Sequence, residues 1–185
     1  QIVSDETKRL SRLVRSMLGI SRLQDQALIP EEKKTRFDME ECIGEVLITF
    51  EQKINSKNLD VAVDLPEHPV YTRADKDAVT QVVYNLIDNA VKFCTEGGTL
   101  GLKLAEGGGK IYVTVANEGN TIPPEELPLV FDRFHKIDKA RNRSQEGWGL
   151  GLYIVKTLVC SHGENISVAS RDGKTEFTFT MPLVN

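Results

Sequence analysis

Residues 85–93 read Asn85-Leu86-Ile87-Asp88-Asn89-Ala90-Val91-Lys92-Phe93, NLIDNAVKF, a spacing that predicts a helix with one narrow polar stripe. At 100° per residue, Asn89 falls about 40° to one side of Asn85, while Gln81, Asp88 and Lys92 fall about 40°, 60° and 20° to the other. Val79, Val82, Val83, Leu86, Ile87, Ala90 and Val91 take the remaining arc and are the predicted core face. A plain solvated stripe favours Lys, Glu, Gln or Ala. Asn inside a helix costs roughly 0.5 kcal/mol against Ala, because its amide competes for backbone hydrogen bonds. Two Asn at i and i+4 are a local cost that asks for a reason. Asn carbonyl oxygens are hard neutral ligands that Mg2+ accepts beside water and nucleotide phosphate, and a Lys one turn on is a phosphate partner. For this segment alone, a solvated face stays the competing reading.

The chain around this helix has 185 residues, 40% of them hydrophobic, enough for one compact domain with a core of its own and an appendage. A net charge of −4 leaves no basic footprint, so no nucleic acid partner is expected. Cys42, Cys94 and Cys160 are odd in number and far apart, and read as reduced thiols of a cytoplasmic domain. No apolar run is long enough to span a membrane. The first residue is Gln rather than Met, so a piece of a longer protein is expected, with any membrane anchor upstream.

Residues 2–26 carry a single Gly, no Pro, and an apolar seam through Val3, Leu10, Leu13, Met17 and Ile20. They predict a helix that needs a bundle or coiled-coil partner, in our reading a second subunit; packing on the following domain is the alternative. Ile29-Pro30 and the run EEKK then mark a linker, so the expected division is 1–30 and 31–185. Beyond it we expect a helix over 39–56, short strands over 60–65 and 70–73, and Asp75 capping the helix that carries NLIDNAVKF. A hairpin over 99–105 and 110–116 turns at Gly107-Gly108-Gly109. A helix over 150–161 and strands over 166–170 and 176–181 close the chain. Helices grouped with mostly antiparallel strands make the fold class α+β, a sheet with helices on one face.

Two further stretches carry chemistry. Gly147-Trp148-Gly149-Leu150-Gly151-Leu152 runs straight into an amphipathic helix, whose free N–H groups and partial positive charge suit a phosphate. It is neither a Walker loop, lacking G-K-[ST], nor a good Rossmann match, and a flexible or tightly packed loop is the plain alternative. Asn117-Glu118-Gly119-Asn120-Thr121-Ile122-Pro123 ends a strand, where an amide can read the exocyclic amine of a base and Gly119 lets a ring approach. An ordinary Asn-Gly turn explains it as well.

The order of these motifs is more specific than any one of them. NLxxNAxKF, an N-x-G turn, Phe131-Asp132-Arg133-Phe134, a polar loop and GxGLGL before a helix together resemble, over residues 37–183, the ATP-binding catalytic domain of sensor histidine kinases with its N, G1, F and G2 boxes. The resemblance implies a Bergerat-type two-layer α/β sandwich, a mixed sheet backed by helices. It likens residues 1–30 to the second helix of a dimeric four-helix bundle, hence a homodimer, with a response regulator receiver domain as partner. It implies ATP and Mg2+ as ligands: Asn89 on the metal with Asn85 in the same polar cluster, Lys92 on phosphate, Phe93 near adenine and ribose. Asn117 takes the place of the family's usual Asp on the adenine amino group, Gly119 matches the first G1 glycine, and Thr121, followed by Ile122, replaces the second. Phe131 and Phe134 anchor one end of a lid. Gly147, Gly149 and Gly151 form its far hinge, with amides near Leu150, Gly151 and Leu152 on phosphate. The lid carries His135, Lys136, Lys139, Arg141 and Arg143, and Arg141 is the candidate for the γ-phosphate; a solvated charged loop accounts equally well for the others. Asn85, Lys92 and Arg141 are the residues expected to act on the phosphoryl group.

Asn117 keeps a carbonyl acceptor but loses a charge, which weakens the adenine contact by about 1 kcal/mol. Glu164 replaces a common glycine in a surface turn, and no role is read from it. His68, His135 and His162 are the only histidines, and none lies in an H-[DE]-x-x-[ST]-P context, so the chain is expected to bind ATP without phosphorylating itself. Two other readings are weighed. Gyrase-like ATP-hydrolysing relatives place a general-base Glu at Asn85, and an amide cannot take that proton. A nucleotide-free scaffold rests only on Asn117 and Thr121.

Overall fold

A computed structural model describes residues 28–136 and 149–185. The expected N-terminal helix and the lid residues Lys139, Arg141, Arg143 and Gly147 lie outside the described residues. The elements are β1 (Thr35–Asp38), α1 (Met39–Ile48), α2 (Glu51–Ser56), β2 (Asp60–Asp64), β3 (Tyr71–Ala74), α3 (Lys76–Phe93), β4 (Thr99–Gly107), β5 (Lys110–Glu118), α4 (Gly151–Ser161), β6 (Ile166–Arg171) and β7 (Lys174–Val184). The strands form one mixed sheet in the order β1-β3-β7-β5-β4-β2, with β6 on the free part of the β7 edge. Only β2 and β4 run parallel; the other pairs are antiparallel. This is the expected α+β architecture.

Side-chain alternation builds the core. Across β4, β5 and β7, residues in register form rows: Leu102–Val115–Phe177 and Leu104–Val113–Phe179, all buried. The intervening residues, such as Lys103, Tyr112 and Thr178, are partly or fully exposed, so one face is packed and the other meets water. The seven apolar residues predicted for α3 are the seven that it buries. Each is worth about 1.5–3 kcal/mol against exposure for a residue the size of Val or Leu, so this helix is held by its packed face rather than by propensity. Asp75 caps it as expected, accepting Ala78 N–H at 3.1 Å. The hairpin turn at Gly108-Gly109 has φ +58° and +74°, the left-handed pair that a two-residue hairpin turn demands.

One expectation is corrected, and one strand is added. The helix over 39–56 is two helices, broken at Thr49-Phe50: the Thr49 hydroxyl donates to Val46 O at 2.6 Å, competing with the backbone ladder. The break seats Phe50, 1% exposed, against the Tyr84 ring at 4.9 Å between centroids. A strand for which no element was expected follows the EEKK run. Residues 35–38 pair antiparallel with β3, and Asp38 then caps α1 through Glu40 N–H at 2.9 Å. TRFD has no alternating pattern of its own, since one residue of the four is buried; its strand state comes from the neighbour.

Candidate nucleotide site

Three chain segments converge where the sequence motifs meet. Asn85, Asp88, Asn89 and Lys92 lie on the half-exposed side of α3. Gln81 Nε2 donates to Asn85 Oδ1 at 2.8 Å, and Asn85 Nδ2 donates to Gly151 O at 3.3 Å. The Asn85 amide is thus engaged at both ends and ties α3 to the start of α4. Asp88 turns aside to an ion pair with Lys53 at 2.9 Å, which leaves Asn89 as the amide oxygen of this stripe suited to a cation. Lys92 Nζ lies 5.2 Å from the centre of the Phe93 ring, and Phe93 is 47% exposed, an open aromatic face beside a charge.

The end of β5 forms the second wall. Asn117 is in register with Leu100 and Thr175 and is 4% exposed, a polar group set into the row that continues the core. Gly119 is required by packing: a Cβ there would lie 2.4 Å from Phe93 O and 3.2 Å from Asn117 Nδ2. Its missing side chain admits the protein's own helix end, a use that the motif alone does not reveal. Gly119 N–H donates to Gly173 O at 2.7 Å, Gly173 N–H to Thr121 Oγ1 at 2.8 Å and Ile122 N–H to Ser170 Oγ at 2.8 Å. Thr121 and Ile122 therefore fasten this turn to the β6–β7 hairpin.

The third wall is the base of the lid. Phe134 N–H donates to Gly149 O at 3.0 Å, so the two ends of the loop are bridged. Phe134 has φ +60°, a conformation that costs an L residue about 1–2 kcal/mol, and its ring is 55% exposed. Gly149 has φ +69°, and a Cβ on it would sit 2.7 Å from His135 O. Phe131 is buried edge-on to Phe177 at 6.0 Å and anchors this end. His135 Nε2 faces Glu126 Oε2 at 2.7 Å, and Lys136 is exposed. Leu150 is buried, Leu152 half-buried, and among the described residues no side chain caps the start of α4. The first N–H groups of a helix have no partner inside it, and such a start suits an anion.

Several contacts around the site were not foreseen. Lys57, one residue beyond α2, reaches the carbonyls at the end of α3; its only sequence sign is a Lys just past a helix. Glu164 is buried rather than a plain surface residue, taking Lys110 Nζ at 2.8 Å and the Thr180 hydroxyl at 2.5 Å. His162 accepts Asp75 N–H on Nε2 at 3.2 Å and donates from Nδ1 to Leu158 O at 2.8 Å, a pair of roles that requires the neutral ring. Burial holds its pKa below the usual 6.5. Burial likewise pushes the Cys94 thiol up, so it stays a thiol.

The sequence profile of the family described as histidine kinase-, DNA gyrase B- and HSP90-like ATPase matches residues 74–185, from the end of β3 through all three walls. The chain belongs to this family. It is 35% identical to the sensor histidine kinase WalK of Bacillus subtilis (strain 168), over 98% of the chain and 30% of that protein. It superposes on full-length ShkA in complex with AMPPNP with a TM-score of 0.84 at 27% identity, covering 98% of the chain and 37% of that one. The histidine kinase ThkA, in complex with the response regulator protein TrrA, matches with a TM-score of 0.77 at 27% identity, over 99% of the chain and 50% of that one. The chain spans less than a third of the curated relatives it matches. Within them it corresponds to the ATP-binding catalytic domain of histidine kinases. No described helix is long and apolar enough to cross a membrane.

Proposed function

We propose that this chain is the ATP-binding catalytic core of a sensor histidine kinase. It binds Mg-ATP for transfer of the γ-phosphoryl to a histidine of a dimerisation helix, and thence to a response-regulator aspartate. The observation that carries this reading is the Asn85–Gly151 hydrogen bond. It brings the polar stripe of α3, which carries a neutral amide oxygen and an ammonium, to the start of α4, where Leu150 offers no side-chain cap. Asn117 accepts the adenine amino group, Phe93 lies along the base and ribose, and Lys92 with the amides of Leu150, Gly151 and Leu152 neutralises phosphate. The described residues hold no cluster of three His, Cys, Asp or Glu fit for a metal. A single amide such as Asn89 fits Mg2+, which takes its remaining ligands from phosphate and water and, when bound, supplies charge neutralisation.

Positioning and charge neutralisation are what phosphoryl transfer asks of the protein. Water activation asks for a base, and Asn85 provides none: it is an amide whose oxygen already accepts from Gln81. The γ-phosphoryl is thereby kept for a histidine. Arg141 is the proposed γ-phosphate contact in the lid. Residues 1–30 are proposed to form the second dimerisation helix and linker of a homodimer, with a receiver domain as the partner in turn. The full-length protein is proposed to be a membrane sensor with this part in the cytoplasm. Calorimetric titration with ADP, with and without Mg2+, tests the reading. Binding that Mg2+ strengthens in the parent but not in Asn89→Ala supports it. Neither heat nor a thermal shift at millimolar nucleotide favours the nucleotide-free scaffold.

A further inference from the structure

The last turn of α3 is held by one side chain from another part of the chain. The Lys57 ammonium donates to Val91 O at 2.8 Å, Lys92 O at 3.1 Å and Cys94 O at 2.6 Å. An ammonium has three N–H donors and no acceptor, so the whole donor capacity of Lys57 is committed to this helix end. The last carbonyls of a helix have no partner inside it, and a cation there also meets the negative end of the helix dipole. The main chain of Lys57 joins in. Its carbonyl accepts Gly97 N–H at 2.9 Å, from the turn that leaves α3.

What this grip holds is the root of two side chains in the candidate site. Lys92 and Phe93 are the last two residues of α3, inside the stretch whose carbonyls Lys57 takes. On the other side Phe93 O presses on Gly119, whose absent Cβ would also come within 3.2 Å of Asn117 Nδ2. The helix end is thus fixed between Lys57 and the strand end that carries Asn117. Burial of Ala90 and Val91 holds the apolar side of the final turn, while its last carbonyls have no partner inside the helix and are taken by Lys57.

We propose that Lys57 is a positioning residue of the nucleotide site. By holding the carbonyls of Val91, Lys92 and Cys94, it sets where Lys92 and Phe93 stand relative to Asn117. Small misplacements of positioning groups are costly in such sites. The inference rests on the nucleotide-binding reading above and assigns Lys57 no contact with the ligand itself.

The test is calorimetric titration of the 185-residue chain with Mg-ADP, well below its melting transition, in the parent and in Lys57→Met, Lys57→Arg and Lys110→Met. Lys110 pairs with Glu164 at the hairpin end of β5, away from Asn117, and controls for a fold weakened elsewhere. Lys57→Met is expected to raise the Kd about tenfold, equivalent to about 1.4 kcal/mol. Lys57→Arg, which keeps a cation and several donors, recovers part of that loss. Lys110→Met lowers the melting temperature with the Kd within about twofold of the parent. Should Lys57→Met not fold, Lys57→Gln, with two uncharged N–H donors, replaces it and is expected to raise the Kd severalfold. A Kd within about twofold of the parent in the methionine or glutamine variant makes Lys57 a purely structural residue and overturns the proposal, while nucleotide binding stands. A parent chain that gives no heat with Mg-ADP overturns both.

Discussion

Asn85 Nδ2 donates to Gly151 O at 3.3 Å, the side-chain bond that joins the polar stripe of α3 to the start of α4. Its other end accepts from Gln81 at 2.8 Å, so an apolar residue of the same size leaves two partners to water. Asn85→Leu is expected to lower stability by about 1 kcal/mol, seen as a melting temperature roughly 2–4 °C lower. Nucleotide affinity falls more steeply, since α4 loses its tie to the stripe. An unchanged Kd by titration would separate this bond from the site.

Gly149→Ala tests the lid base. A left-handed φ costs an L residue about 1–2 kcal/mol, and here the new Cβ also meets His135 O at 2.7 Å. The turn must open, breaking the bridge from Phe134 N–H to Gly149 O. Denaturant unfolding should show the loss of stability, and the proposed nucleotide affinity should drop with it.

Asn117→Asp acts in opposite directions on the two states. At a position 4% exposed, an unpaired carboxylate is costly in the nucleotide-free protein, so the melting temperature falls. With adenine nucleotide present, the neutral hydrogen bond becomes charge-assisted, and affinity is expected to rise roughly fivefold, about 1 kcal/mol. Thermal melts with and without ADP distinguish the effects by their opposite signs.

His162 makes stability depend on pH in one direction. Its folded pKa is lowered from 6.5, first by burial and also by Lys34, while the Leu158 carbonyl and the charges of Asp75 and Glu164 oppose the shift. The unfolded chain therefore binds the proton more readily. The contribution of the neutral ring is fully present above about pH 6.5 and is lost as pH falls through that value and the lower folded one. Protonation also removes the acceptor for Asp75 N–H, next to the cap of α3. Urea unfolding of the parent and His162→Gln at pH 7.5 and 5.5 should show a difference between them that narrows on acidification. Carboxylate titrations common to both chains cancel.

Incubation of this chain with labelled ATP is expected to give no acid-labile phosphohistidine. His68 is paired with Glu106 at 2.7 Å, His135 faces Glu126, and both His162 nitrogens are engaged. A stoichiometric acid-labile signal would refute the reading that none of the three is an acceptor.

Much of the fold was legible because it follows from period. The buried set of α3 comes straight from 3.6-residue spacing, and the β4–β5 hairpin from alternation around a glycine turn. The misreadings have one cause. Residues 35–38 become a strand because β3 supplies partners, and the helix over 39–56 breaks at Thr49-Phe50, where Phe50 packs on Tyr84. Neither partner lies within a local window. Glu164 was misjudged for the same reason: its partners Lys110 and Thr180 are 54 and 16 residues away.

The sequence by itself determined which residues are candidates for chemistry, because Asn at a propensity cost, glycines before a helix and an amide at a strand end are local anomalies that can be read without the fold. The tertiary structure alone decided how each is used. Asn85 is a tie between helices, Gly119 is small for the sake of Phe93 O, and Lys57 holds the end of α3. Local sequence sets what a residue can donate or accept; only the folded chain sets what stands within 3 Å of it.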